Sequence, residues 1–291
     1  MTGFSEDWLA LREPADSAAR SRELAGLLAR QLADRPRDAP LEVVDLGCGS
    51  GANLRWLAPR LPGPQHWHLL DDDPALLAAA RRRLARWAGK VVEASVTTGR
   101  LALETAGGTR LVADPRRVDL ARDLAAVAIP EQALVTASAL VDLVSRRWLE
   151  ALVARCAAAR ASLLLALTYD GRVAWSPALP DDSTVHRLHD RHQGTDKGFG
   201  PALGPTAVAV AAALLRDAGY TVHTATSDWR LGADDAPLAR ALADGWCRAA
   251  SDLEPGRRDA FRAWSDDRAR LADTADAALV VGHLDLLAEL A

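Results

Sequence analysis

"LEVVDLGCGSGANLRWLAPRL", residues 41–61, decides the fold. Its first six residues are mostly apolar, with Glu42 second and Asp45 fifth, the pattern of a buried strand. Gly47, Gly49 and Gly51 follow just where that run stops. A strand turning sharply into a helix needs residues free to take positive φ, and a ligand can approach such a backbone with no Cβ in its way. "ANLRWLAPRL" then resumes apolar positions at helical spacing, so the stretch reads strand, tight turn, helix. A second strand, "HWHLL", ends on Asp71, Asp72 and Asp73, and Pro74 opens a helix at a favoured first-turn position. Asp71 stands about 20 residues beyond the turn, where a carboxylate can grip both hydroxyls of a ribose. A P-loop would need GKS or GKT after its glycines, and a dinucleotide fingerprint would put two residues between its last two glycines. Neither spacing is present.

Working outward, residues 5–34 have helical spacing interrupted by "EPAD", which predicts two helices, the second starting at Asp16 or Ser17. Residues 99–114 alternate on both sides of Gly107-Gly108, a hairpin signature, and "RRVDLARDL" reads as a further strand leading into a loop. "QALVTASAL" and "ASLLLALTY" are buried strands with a helix between them. A helix over 205–219, a strand at 220–231, a charged helical stretch at 235–273 and a closing strand at 278–287 complete the chain. Strand alternating with helix at this spacing predicts an α/β fold. Its expected form is a doubly wound, mostly parallel seven-stranded sheet with helices on both faces, an inserted β-hairpin and N-terminal lid helices. One domain is expected over 1–291, with 1–38 as helical lid, 99–114 as hairpin insertion and 175–205 as a substrate-side loop.

Composition narrows the partners. The formal net charge of −4 and 5% aromatic content give neither the positive field nor the stacking surface that nucleic acid asks for. Lys90 and Lys197 are the only lysines among 35 cationic residues, the bias of a GC-rich bacterial genome, so arginines such as Arg81–Arg83 read first as solvated helix faces. Three scattered cysteines form no CxxC pair and imply neither a disulfide framework nor a zinc cage. No apolar run approaches the roughly 20 residues needed to cross a bilayer, and the N-terminus lacks a signal-peptide pattern, so a soluble cytoplasmic protein is expected.

The glycine turn, "VVDLGCGSG", resembles the first motif of the class I S-adenosylmethionine-dependent methyltransferases, and "LLDDDP" resembles their second. The likeness is specific over roughly residues 40–170 and rests on element order alone over 205–291. It implies that Gly47, Cys48, Gly49 and Gly51 approach the methionine part of S-adenosyl-L-methionine, with Asp45 near its amino group. Asp71 would bind the ribose, with Asp72 beside it, although Asp72 and Asp73 also suit the N-terminal charge of the following helix. Asp119, with Leu120, would lie near the adenine, and Asp123 competes for that place. Ser138 is counted with the cofactor and Asp142 with the acceptor. The activity implied is methyl transfer to a small-molecule acceptor. An RNA methyltransferase using Arg146, Arg147, Arg155 and Arg160 is one alternative, and a non-catalytic cofactor-binding partner or regulator is another.

"STVHRLHDRHQGTDKGFGPALGP", residues 183–205, follows the fifth strand at the edge where open α/β sheets bind ligands. His186, His189 and His192 recur every three residues with Asp190 nearby, but no other element supplies a further ligand, and no metal is expected. A solvated loop and a substrate lid both suit the stretch. As a lid it would offer His189 or His192 as general base, and His186, Lys197 and Phe199 as acceptor contacts. Trp8, Arg12 and Arg20 of the N-terminal helices can reach a cofactor carboxylate or the acceptor, with a plain capping helix as the other reading.

Overall fold

The structure, a computed structural model, describes residues 4–36 and 39–290. Two helices, α1 (Glu6–Ala19) and α2 (Arg22–Gln31), precede β1 (Leu41–Leu46), α3 (Ala52–Leu57), β2 (Gln65–Asp71) and α4 (Pro74–Trp87). An antiparallel set follows, β3 (Lys90–Ala94), β4 (Leu101–Glu104) and β5 (Arg110–Arg117). Next come α5 (Leu120–Asp123), β6 (Leu134–Ser138), α6 (Arg146–Ala158), β7 (Ser162–Ser176), α7 (Asp182–Gln193) and α8 (Ala207–Asp217). The chain closes with β8 (Tyr220–Thr226), β9 (Trp229–Leu231), α9 (Ala236–Leu253), α10 (Arg258–Leu271) and β10 (Ala278–Leu290).

The strands form one sheet in the order β3-β4-β5-β2-β1-β6-β7-β10-β8, with β9 also paired to β10. The run β5-β2-β1-β6-β7 is parallel. β10 enters antiparallel between β7 and β8. Because β1 pairs with β2 on one side and β6 on the other, the strand order reverses there, and a crevice opens at the carboxyl ends of β1 and β6. Strand alternation sorts the core: Val44, Leu46 and Leu70 face α6 and α8, while Leu41, Val43, Trp67 and Leu69 pack with α2, α3 and Leu84 of α4. The α/β class expected from the sequence is the class observed, with β4 and β5 as the expected hairpin and β3 and β9 as further strands in a sheet of ten.

Four details depart from expectation. α1 runs through Pro14, whose ring lies on the exposed side. The break comes instead at Arg20, which turns extended, and Ser21 then caps α2 by accepting from Leu24 N–H at 3.1 Å. β5 is at once the second hairpin arm and the third parallel strand, so 116–124 holds no separate strand and Asp119 caps α5. The strand expected at 220–231 is split by Ser227 and Asp228, where Asp228 accepts from Arg172 and from the His283 N–H. Finally, 175–205 is not a loop throughout. β7 continues to Ser176 by pairing with β10, and residues 182–193 form α7, with Val185 and Leu188 buried against a cap built from α9, α10 and β9.

Candidate functional site

The glycine turn is built for close approach. Gly47, Gly49 and Gly51 all take positive φ, at 66°, 52° and 78°. The Cys48 N–H donates to the Leu70 carbonyl at 2.9 Å, and the Gly49 N–H donates to Asp71 Oδ2 at 2.8 Å, so the turn is fastened to the end of β2. Asp71 Oδ1 also accepts from the Asp73 N–H at 3.0 Å, and burial raises its pKa. Each carboxylate oxygen keeps a second lone pair, so these bonds orient Asp71 without exhausting it. Cys48 packs into the core, where burial pushes its thiol up.

Asp45 is fully buried one residue before the end of β1. Asn53 Nδ2 donates to its Oδ1 at 2.6 Å, but Oδ2 has no hydrogen-bond partner among the described residues, and neither has Asn53 Oδ1 or Ser50 Oγ. Desolvation pushes the Asp45 pKa up to about 7, offset in part by the Asn53 bond and by Arg20. Arg20 is 4% exposed and lies over the Trp56 ring at 4.2 Å, and its Nε and Nη2 are likewise without partners. Burial lowers its pKa to about 10, against the pull of Asp285 and Asp45. Buried polar atoms in native proteins are overwhelmingly paired, so these unpaired atoms of Asp45, Asn53, Ser50 and Arg20 mark a candidate site for a polar ligand. This cradle offers one anionic and one cationic side chain, Asp45 and Arg20, each with an unpaired polar atom.

α1 covers this cradle. A Cβ added at Gly49 would stand 3.1 Å from Leu9 Cδ1. Glu13 accepts from Arg55 at 2.6 Å and from Arg83 at 3.2 Å, and Glu6 accepts from Arg82 at 2.9 Å and Arg83 at 3.2 Å. The α4 arginines, read from sequence as solvated, therefore clamp the N-terminal helix. Trp8 packs at the edge of the cap core.

The other expected positions divide sharply. Asp72 is exposed and pairs with Arg117 at 3.1 Å, pointing outward. Asp119 does follow the third parallel strand, but its Oδ1 caps α5 by accepting from the Ala121 and Arg122 N–H groups. Leu120 is in the core and accepts from the Trp148 indole at 2.7 Å through its carbonyl. Asp123 sits at the end of α5. Ser138 ends β6, followed by Ala139 at φ 53°, and the chain bends there to bury Asp142. Asp142 Oδ1 has no partner, and burial raises its pKa to about 6.

The three histidines of α7 do share a face, but it is a packed one. His186 accepts from the Trp175 indole at 3.0 Å and meets Trp246 edge-on, with a pKa lowered by burial to about 4. His189 touches Trp246 and Tyr169, and burial with nearby cations lowers it to about 3. His189 is therefore held neutral at physiological pH, and its Nδ1 is buried with no hydrogen-bond partner among the described residues. His192 lies outward, 3.9 Å from Asp252, and its carbonyl accepts from Lys197 Nζ at 2.8 Å. Lys197 thus caps α7, and Phe199 stacks edge-on with Trp148 at 5.6 Å. Arg12 pairs with Asp16 and lies over the Trp229 ring.

A residue missed from the sequence joins these groups. Tyr169, in mid-β7, donates to Asp190 Oδ1 at 2.8 Å and meets both His189 and His283 edge-on. His283 in turn contacts Trp229. Nothing local in "ALTYDG" marks Tyr169, because its partners come from two other elements, α7 and β10.

Residues 43–127 match the family model described as a methyltransferase domain. The trans-aconitate 2-methyltransferases of Methylobacterium nodulans and Methylobacterium radiotolerans are 44% and 40% identical over 78 and 79 residues, 27% of this chain. The match spans 28% of each of those relatives. In three dimensions the chain is similar to a cyclopropane-fatty-acyl-phospholipid synthase-like protein from Lactobacillus casei, with a TM-score of 0.51 and 17% identity. That superposition covers 98% of this chain and 94% of the other, and at such identity it is the fold that is shared. The resemblance seen in "VVDLGCGSG" and "LLDDDP" is thus carried by the domain model at the same residues. No helix among the described residues is long and apolar enough to cross a membrane.

Proposed function

Taking residues 43–127 as a methyltransferase domain on this fold, we propose that the protein transfers a methyl group from S-adenosyl-L-methionine to a small-molecule acceptor. The observation that carries this is the cluster of buried, unpaired polar atoms at Asp45, Ser50, Asn53 and Arg20 around the glycine turn. Asp45 and Arg20 hold the amino-acid end of the cofactor, and Gly47 and Gly49 let it approach the backbone. Asp71 holds the ribose, oriented by the Gly49 and Asp73 N–H groups. Bound there, the cofactor supplies an electrophilic methyl on a sulfonium, so the protein's task is in-line positioning in a site dried by α1.

The acceptor faces Asp142, Tyr169 and the Asp190–His189 edge. Asp142, with its raised pKa of about 6, is the base matched to neutral pH where the acceptor must lose a proton. The arginines at this surface are already neutralised, Arg12 by Asp16 and Arg172 by Asp170 and Asp228, which favours a neutral polar acceptor over a polyanion. The RNA reading has less support, since of its four arginines Arg146 pairs with Glu150 and the net charge of −4 gives no general positive field. A cytoplasmic location belongs to the same proposal.

Calorimetric titration with S-adenosylmethionine and S-adenosylhomocysteine tests the first half. Micromolar binding is expected in wild type, with at least tenfold loss in Asp71→Ala and Arg20→Gln. No binding by wild type would overturn it. With an acceptor found by mass shift, kcat/KM should fall below about pH 6 as Asp142 gains its proton, and Asp142→Asn should abolish that limb.

A further inference from the structure

We propose that Glu42, His66 and His68 form a second, separate site that binds one divalent transition ion of the zinc type. It lies toward the amino ends of β1 and β2, at the opposite end of these strands from the glycine turn. In "QHWHLL" the two histidines are two apart, so strand alternation puts both imidazoles on one face, while Trp67 between them is buried on the other. Parallel pairing places Glu42 opposite His66 and Val44 opposite His68, which brings the Glu42 carboxylate to the same face.

The donors converge on one point. His68 Nε2 lies 2.7 Å and His66 Nδ1 3.2 Å from Glu42 Oε2, and one ligand atom from each residue falls within 4.8 Å of the others. Donors held at about 2.0–2.1 Å around a tetrahedral zinc stand roughly 3.3 Å apart, so the bite needs little adjustment. Among the described residues this is the one cluster of three such side chains with that convergence. Two imidazoles and one carboxylate suit zinc or its neighbours rather than calcium or magnesium, and three protein ligands leave a position for water.

The surroundings leave room for an ion. The side chains of His66, His68 and Glu42 are 24%, 14% and 28% exposed, so the three are open to an ion from solvent. His66 Nε2 is buried without a hydrogen-bond partner, so no protein group other than Glu42 fixes that ring through a hydrogen bond. Asp114 stands beside His68 across the β2–β5 pair, and its bond to Arg116 at 2.6 Å offsets the nearest cation. The ion would tie β1 to β2 at the ends that α3 and α4 do not brace.

The test uses tag-free protein stripped with a chelator, then titrated with Zn2+ by calorimetry and with Co2+ by visible absorption. One Zn2+ per chain at micromolar or tighter Kd is expected, with Co2+ ligand-field bands and a raised Tm. Glu42→Gln and His68→Gln should each lose at least tenfold in affinity while keeping a wild-type near-ultraviolet circular dichroism spectrum. His189→Gln, on the other histidine cluster, should bind as wild type does. Absence of stoichiometric Zn2+ and of Co2+ bands in wild type overturns the proposal, as does binding lost in His189→Gln but kept in His68→Gln. The Co2+ spectrum needs no variant, so a misfolded substitution leaves the test intact, and none of its readouts depends on methyl transfer.

Discussion

Asp45 is held in the folded chain at a cost that the cofactor ammonium would remove. Its pKa is raised from 3.8 to about 7, chiefly by burial, so the folded state binds the proton more tightly than the unfolded state does. The stability this contributes is full below the unfolded value and is lost as pH rises through the folded one. Asp45→Asn, which keeps an oxygen for Asn53, should therefore be more stable than wild type, with a gap that widens between pH 5 and pH 8. Allowing for relaxation around a buried charge, the gain at pH 8 is on the order of 2 kcal/mol, or roughly 4–8 °C in Tm. The same variant should bind S-adenosylmethionine about 10- to 100-fold more weakly, the worth of one charge-assisted hydrogen bond. Thermal melts across pH and calorimetry on one preparation check both, and equal Tm values at pH 8 would count against an ionised, unpaired Asp45. Much of this was readable in the sequence, because Asp45, Gly47 and Asp71 lie within one strand-turn-helix-strand unit. Arg20 was one of several arginines with similar local patterns, and only the fold shows which one is buried.

The helix that covers the cradle is held by charge and by one apolar contact. Glu6 and Glu13 grip Arg55, Arg82 and Arg83 across more than 40 residues of chain, a separation that no local spacing reveals. Sequence patterns of solvated and clamping arginines are the same, so the sequence of α4 does not reveal its grip on α1. The polar helix α7 carries a similarly weak signal: only Val185 and Leu188 of its residues are buried. The edge strand β3, exposed along its whole length, offers no alternation to detect. Each partly exposed ion pair is worth about 0.2–1 kcal/mol, so the clamp is suited to opening. Glu6→Gln/Glu13→Gln should lower Tm by only a few degrees yet speed hydrogen exchange over residues 6–19 several-fold. It should also raise the cofactor off-rate, and 0.5 M salt should bring wild type toward the variant. Unchanged exchange in α1 would mean that Leu9 against Gly49, rather than the charges, holds the lid.

Across the chain, the proposed cofactor cradle and the proposed acceptor cap are carried by different parts of one sheet. β1, β2 and their turn are local and were legible, whereas the cap depends on β7 and β10 pairing Ser176 with Ala278, residues about a hundred positions apart. At the cap's centre Arg268, 2% exposed, donates to both oxygens of Asp182 and to the Pro177 carbonyl, and lies over the Trp175 ring. Trp264 donates to the same carboxylate at 2.8 Å. Removing one member of a buried pair strands the other, at a cost of about 3–5 kcal/mol, whereas replacing both with neutral groups of similar size recovers much of it. Arg268→Ala should therefore loosen residues 177–193 and 236–272, seen as faster hydrogen exchange and proteolysis there, and abolish acceptor methylation. S-adenosylmethionine affinity should stay within about threefold, since Asp45, Asp71 and the glycine turn touch none of these groups. Asp182→Asn/Arg268→Met should restore more than half of the lost Tm. If cofactor binding instead disappears together with the cap, then sheet and cap fold as a single cooperative unit, and the buried pair at Asp182 supports the cradle as well as the acceptor site.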